Sequence, residues 1–278
     1  MTARLRDVET RIAAMRQLRS LVGAMRGIAA ARAQQARAAL TGTRAYGQIV
    51  GDALADAYGL VVDGPLRTQP AEPLGLIVFG AEHGFAGAFS ERVLAAARKP
   101  SGPLFVVGSR AVIAAEELGW KPAWTTPMAS GIAAVSGVAG RIADEVYTRF
   151  SNGTVGTVDL LFTQLTAGTR FEVVRKRLLP PDPAPLRQPP GPRPLTNLPP
   201  PRLAERLLGE FVLAVLAQAA MESFATENAA RLETMAAARS NIDAKLLTLE
   251  AAYRQVRQED ITAELIDLVA GTLAMQAG

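Results

Sequence analysis

Proline is missing from both ends of this chain: none occurs from Thr2 to Tyr58, and none from Arg202 to Met275. Both stretches are rich in Ala, Leu, Gln, Glu and Arg, residues that favour helix. At 1.5 Å per residue, an N-terminal helix of that span would be roughly 80 Å long and a C-terminal one roughly 110 Å. Neither fits the diameter of a small domain, so much of each helix needs a partner outside a globule. In the C-terminal stretch Leu232, Met235, Arg239, Ile242, Leu246, Leu249, Tyr253 and Val256 step strictly by three and four, and only Arg239 is not apolar. That is a heptad seam, the period of a left-handed coiled coil. The phase slips after Val256 and resumes at Ile261, Leu265, Leu268, Thr272 and Met275. In the N-terminal stretch Leu5, Val8, Ile12 and Met15 form one stripe, which shifts phase to Leu18, Val22, Met25 and Ala29. The two helices are expected to form an antiparallel coil with each other.

Between them the texture changes. Leu74 to Phe79 and Leu104 to Val107 read as buried strands. Helical stretches follow, one from Ala88 to Arg98 and one after Gly108-Ser-Arg that Gly119 ends. Ile132 to Phe150 reads as a further helix. Thr157 to Leu165 and Phe171 to Leu179 read as a β-hairpin turning at Ala167-Gly168. Strands alternating with helices predict a mainly parallel sheet with an antiparallel edge, so the fold class is α/β. From Pro180 to Pro201 eleven of twenty-two residues are proline, which predicts an extended linker.

Composition excludes much chemistry. The chain has no cysteine and a single histidine, His83, so disulfides, thiolate nucleophiles and cysteine-based metal sites are excluded. Little remains for zinc or a histidine-dependent triad. The longest uncharged stretch, Pro122 to Gly140, is interrupted by Gly, Ser and Thr and predicts no transmembrane helix, and Met1 to Arg19 lacks the apolar core of a signal peptide. Residues 1–44 carry nine Arg against Asp7 and Glu9, whereas residues 202–278 carry seven basic and eleven acidic groups. The ends therefore attract each other, or each faces a partner of opposite sign. Nucleic acid is not the expected partner, because the Arg-rich end has no aromatic residue for stacking and no nucleic-acid motif.

Gly80-Ala-Glu-His-Gly-Phe-Ala-Gly87 sits between a strand and a helix, where a phosphate-binding loop would lie. Its glycines do not follow Gly-x-Gly-x-x-Gly, and no Lys-Ser/Thr pair follows it. His83 would need an acid partner as a general base, and only the adjacent Glu82 offers one. No catalytic residue, cofactor site or metal site is assigned.

Four segments carry a family resemblance. Ala24-Met25-Arg-Gly-Ile28-Ala-Ala-Ala31-Arg32 resembles the N-terminal signature of the gamma subunit of F-type ATP synthases, Lys-Ala-Met-x-x-Val-Ala-Ala-x-Lys. Glu82-His-Gly84-Phe-Ala-Gly87-Ala is similar to that family's Asp-Arg-Gly-Leu-Cys-Gly-Gly loop. Glu227-Asn-Ala229-Ala230-Arg231-Leu-Glu-Thr-Met235 resembles Ser-Glu-x-x-Ala-Arg-Met-x-Ala-Met. Arg257-Gln258-Glu-Asp-Ile261-Thr262-Ala-Glu264-Leu265 resembles Arg-Gln-x-x-Ile-Thr-x-Glu-Leu, and Val269-Ala-Gly271 resembles Val-Ser-Gly. The segments occur in the family's order. Gly23 departs from the family's basic residue before Ala-Met, with Arg26 as a nearby charge, and His83, Ala86 and Ala88 replace its Arg, Cys and second Gly. These departures describe a divergent branch, of the main enzyme or of an alternative rotary ATPase.

The resemblance implies a coiled coil of residues 1–58 and 202–278, a Rossmann-like α/β domain over 70–180 and a linker over 180–201. It implies a non-catalytic rotor shaft inside a hexamer of alpha and beta subunits, docked on epsilon and on the membrane ring of c subunits. Its place would be peripheral, at the cytoplasmic face of a bacterial inner membrane. By residue, it assigns contact with the catalytic hexamer to Met25, Arg26, Arg257, Gln258, Thr262 and Glu264, and it sets residues near Met25 opposite residues near Gln258. Two rival readings remain at this point: an α/β enzyme holding a nucleotide at Gly80–Gly87, and a static coiled-coil scaffold.

Overall fold

The computed structural model describes residues 3–61, 72–98, 100–166, 170–181 and 195–276. They divide into two compact units, residues 1–28 with 233–278, and residues 29–232. Helix α1 (Ala3–Val61) and helix α5 (Pro200–Gln276) supply residues to both. Helix α5 starts two residues earlier than the composition suggests, because proline is tolerated in a first turn whose N–H groups have no helical partner.

In the larger unit the sheet runs β3-β2-β1-β4-β5, with β1 (Leu74–Phe79), β2 (Leu104–Val107), β3 (Trp124–Thr126), β4 (Thr157–Leu165) and β5 (Phe171–Leu179). All pairings are parallel except β4 with β5. The hairpin strands have the bounds the sequence predicts, while its turn at Ala167-Gly168 lies outside the described residues, as does most of the proline tract. Strand β3 was not expected: three residues set between Pro122 and Pro127 are too short to show a period. The helix expected from Ile132 begins as a 3₁₀ turn, Ile132–Ala134, and continues as α4 (Val135–Ser151).

Alternation along the strands builds two cores. Ile77, Phe79, Phe105, Val107, Leu160 and Phe162 pack with α4, with Ala36 and Leu40 of α1, and with Val212 to Ala225 of α5. Leu76, Val78, Leu104, Val106 and Leu161 pack on the opposite face with α2 (Phe89–Ala97) and α3 (Ser109–Glu117). Helix α5 contains an 18-residue window of mean hydropathy 1.5, enough to cross a membrane by length and composition, yet 56% of that window is buried within the protein.

In the smaller unit the two helices run antiparallel around a seam of Ile12, Val22, Met235, Ile242 and Leu246, flanked by Val8, Met15, Met25, Ala238, Leu249 and Tyr253. Cross-helix contacts fix the sense: Arg4 pairs with Glu259, Arg16 with Glu250 at 2.9 Å, and Arg19 with Asp243 at 2.7 Å. The Tyr253 hydroxyl donates to Glu9. One sequence reading fails here. The stripe of α1 does not change phase at Leu18, which is 42% exposed. Met15 and Val22 are one heptad apart, so the phase is kept, with the exposed Arg19 at the step between them.

Candidate functional site

The loop after β1 is held by α5 through its backbone. Glu227, 2% exposed, accepts from the backbone amides of Glu82 and His83 at 3.2 and 3.3 Å. Arg231, 7% exposed, donates from Nε to the Gly84 carbonyl at 3.1 Å and from a terminal nitrogen to the His83 carbonyl at 3.1 Å. Its guanidinium also pairs with Glu227 one turn back and donates to Asn228 Oδ1. Each charge is thus compensated, as a buried ion pair requires. Glu82 turns the other way: its carboxylate accepts from Ser109 N and Oγ, at 3.0 and 2.7 Å, and from Met128 N at 2.7 Å. This anchors the first turn of α3, where a carboxylate is favoured by the helix dipole.

The loop needs its small residues for this fit. A Cβ on Gly80 would lie 2.3 Å from the Ala111 Cβ. Gly108, at φ +111°, approaches the Ala81 carbonyl so closely that a Cβ would stand 2.7 Å from it. Phe85, by contrast, is 64% exposed and holds φ 63°, a conformation that strains a residue with a side chain.

These contacts bear on nucleotide binding. In a doubly wound sheet a phosphate would be held by the amides of this turn. Here two of them are taken by the chain's own Glu227, and the acid beside His83 is committed to Ser109 and Met128. The enzyme reading thereby loses both its phosphate cradle and its acid partner. Among the described residues no three His, Asp or Glu side chains group where they could hold a metal.

The residues assigned to partner contact occupy two separate places. Met25 is half-buried against the seam and Arg26 is exposed. Arg257, Gln258, Thr262 and Glu264 are all exposed, and the Thr262 hydroxyl donates back to the Gln258 carbonyl at 2.9 Å. Met25 does not stand opposite Gln258. The three cross-helix ion pairs join residues whose numbers add to between 262 and 266, which sets Met25 near Ala238 and Gln258 near Leu5. The two places are separated by about 20 residues of helix, roughly 30 Å. The reason is physical: a heptad pattern repeats every seven residues and leaves the pairing of one helix on another open.

Sequence reasoning quoted Glu227 and Arg231 without giving them a role. The available signal was an acid and an arginine one turn apart in a stretch otherwise buried on all sides.

Comparison with known proteins agrees with this architecture. The family described as ATP synthase matches residues 4–275. An ATP synthase gamma chain of Parafrankia is 29% identical over 310 residues, covering all of both chains. One from a Synechococcus strain is 27% identical over 318 residues, covering 98% of this chain and all of its own. Among solved structures, the mitochondrial ATP synthase of Euglena gracilis, with OSCP, F1 and c-ring in rotational state 3, has a chain that superposes with a TM-score of 0.66. It is 16% identical and covers 99% of this chain and 95% of its own. A second from the same organism, the rotor in rotational state 1, gives 0.63 over 92% and 98%. With the match running almost end to end, the chain belongs to the ATP synthase family.

Proposed function

We propose that this chain is the central stalk of a rotary ATP synthase, a gamma-type shaft turning within a hexamer of alpha and beta subunits. The observation that carries the reading is the end of α5. There Ile261, Leu265 and Ile266 are 49%, 57% and 62% exposed. Apolar side chains repeated along a helix tip call for a sleeve that excludes water from them. Gln258, Thr262 and Glu264 lie among them and supply polar contacts that are made and broken as the sleeve's members change conformation. Arg257 adds a charge beside them, and Met25 and Arg26 act at the second level.

The chain catalyses nothing; ATP binds and reacts on its partners. Rotation couples to those sites as a difference in contact free energy around the turn. The coiled coil is the unit of residues 1–28 with 233–278, and the α/β domain over 70–180 docks on the epsilon subunit and the ring of c subunits. The proline-rich segment 180–201 links them, at the cytoplasmic face of a bacterial inner membrane.

The test uses the absence of cysteine from the chain. The isolated chain should show no ATP hydrolysis, and adding it to alpha and beta subunits should produce a hydrolysing complex. A disulfide between a cysteine at Gln258 and one placed in a facing beta loop should stop turnover, and reduction should restore it. Steady turnover in the cross-linked complex, or hydrolysis by the chain alone, would refute the shaft.

A further inference from the structure

Within the larger unit, α1, β4 and α5 border a pocket of about 370 Å³. Arg37, Thr41 and Arg44 line it from α1, Leu165 from β4 and Glu222 from α5. The spacing of 37, 41 and 44 sets these three residues on one stripe of α1. The Glu222 side chain is fully buried, whereas that of Arg44 is 52% exposed. Arg44 donates to it from Nε at 2.8 Å and from a terminal nitrogen at 2.5 Å, and both bonds end on the same oxygen, Oε1. Oε2 is buried as well and has no hydrogen-bond donor among the described residues. A buried carboxylate oxygen left without a donor costs free energy, so a wall built in this way calls for one.

The charges around the pocket decide what kind of donor. Its lining carries two guanidinium groups against one carboxylate, which favours an anion. An ammonium ion would serve Oε2 but would face both arginines. A fully ionised oxyanion such as sulfate would suit the arginines and set a bare oxygen against Oε2. An anion that keeps a proton meets both demands. From this geometry we infer that the pocket binds inorganic phosphate. The P–O–H group donates to Glu222 Oε2, and the remaining oxygens accept from Arg37, Thr41 and Arg44. Phosphate monoesters have lost that proton at neutral pH, since their second pKa lies at about 6. Bicarbonate keeps an O–H but has fewer oxygens to offer the arginines. The site goes beyond the shaft reading and ties the α/β unit to a reactant of ATP synthesis.

Calorimetric titration of the full chain at neutral pH and constant ionic strength tests the site. Inorganic phosphate should bind once per chain with a Kd between roughly 10 μM and 1 mM, the range open to so small a ligand. Sulfate and methyl phosphate should bind at least about a hundredfold more weakly, because a site built around a hydrogen bond rejects the analogue that cannot make it. Bicarbonate should bind about tenfold more weakly than phosphate. Arg37→Ala, a change at an exposed residue, should weaken phosphate about tenfold. Glu222→Gln replaces the bare oxygen by an N–H donor, so sulfate should then bind within about threefold of phosphate. Equal binding of phosphate and sulfate by the parent chain would reveal a plain cationic patch and overturn the inference. So would the lack of saturable phosphate binding, tighter binding of bicarbonate, or sulfate still excluded from a folded Glu222→Gln chain. Should Glu222→Gln fail to fold, the sulfate comparison and Arg37→Ala decide alone. The titration involves no partner subunit, so its failure leaves the shaft reading standing, and a chain that assembles no hydrolysing complex leaves the phosphate site standing.

Discussion

Arg231→Met tests the clasp between α5 and the glycine loop. Methionine keeps the apolar stem and removes the guanidinium. What is lost follows from the contacts: the pair with Glu227, the bond to Asn228, and the bonds to the carbonyls of His83 and Gly84. Glu227 remains, 2% exposed, with only the amides of Glu82 and His83 to hold its charge. Removing one partner of a buried ion pair costs about 3 to 5 kcal/mol. Two features place this case at the lower end: two amides still serve the carboxylate, and the freed carbonyls belong to exposed loop residues that water can reach. We expect a loss of about 3 kcal/mol, and a fall in Tm of about 6 to 12 °C for a chain of this size. Urea unfolding supplies the free energy, and amide exchange at Glu82 and His83 reports the loop. In the double variant Glu227→Leu with Arg231→Met, the penalty should fall short of the sum of the single variants by about 1 to 3 kcal/mol. Additive single penalties, or a loss under about 1 kcal/mol for Arg231→Met, would show that the clasp is an ornament of the surface.

Two further outcomes are expected. A cysteine at Met25, scanned against single cysteines from 235 to 242, should form a rapid intrachain disulfide with at least one of them, since the register sets Met25 near Ala238. A scan from 254 to 262 should give none, and a cross-link there would refute the register. The Tyr46 phenol, which donates to Glu210 at 3.0 Å, titrates above its ordinary range because that bond and the carboxylate's charge favour the neutral form. A proton held more tightly in the folded state contributes stability that is complete below about pH 10 and is lost as pH rises through the raised value. Tyr46→Phe should flatten that loss, measured by urea unfolding between pH 9 and 11, about one unit either side of the free phenol's range; an unchanged slope would refute the coupling.

How far this structure was legible in the sequence depends on the range of the interaction that decides each element. The hairpin strands and the two long helices are set by local period and by the placement of proline, and they were readable. The seam of α5 was readable for the same reason. The clasp was not, because Glu227 and Arg231 meet residues more than 140 positions away. Nor was the burial of the middle of α5: from Ala219 to Arg231 every residue is buried, although Glu222, Ser223, Thr226, Glu227, Asn228 and Arg231 are polar and read as a solvated stripe. The misplaced stripe of α1 has a different origin. An exposed leucine at 18 looked more like a seam residue than an arginine at 19, although Arg19 joins Asp243. Polarity was taken as a sign of the surface, whereas a long side chain can stand at the step between two seam residues and still reach an acid across the pair.

That last point explains how one register is chosen when heptads permit many. The ion pairs of the helix pair are exposed, with side-chain exposures from 37% to 74%, so each stabilises by only about 0.2 to 1 kcal/mol. As a contribution to stability they are minor beside the apolar seam. As a choice between registers they decide, because the seam itself is nearly indifferent to a slip of seven. Sliding α5 by one heptad in one direction would keep Arg19 opposite an acid, Glu250, but would set Arg16 against Arg257 and Arg4 against Ile266. Sliding it the other way would bring Arg16 to Asp243 while leaving Arg19 opposite Ala236 and Arg4 opposite Ala252. Either slip therefore retains one of three pairs, and one of them adds a repulsion. The unequal charge of the two ends, basic first and acidic last, thus has a role inside the chain before any partner is considered: it fixes which residues of α5 stand beside which residues of α1. A shaft depends on that register being unique, because a slip of one heptad would move the tip of α5 by roughly 10 Å along the axis relative to α1.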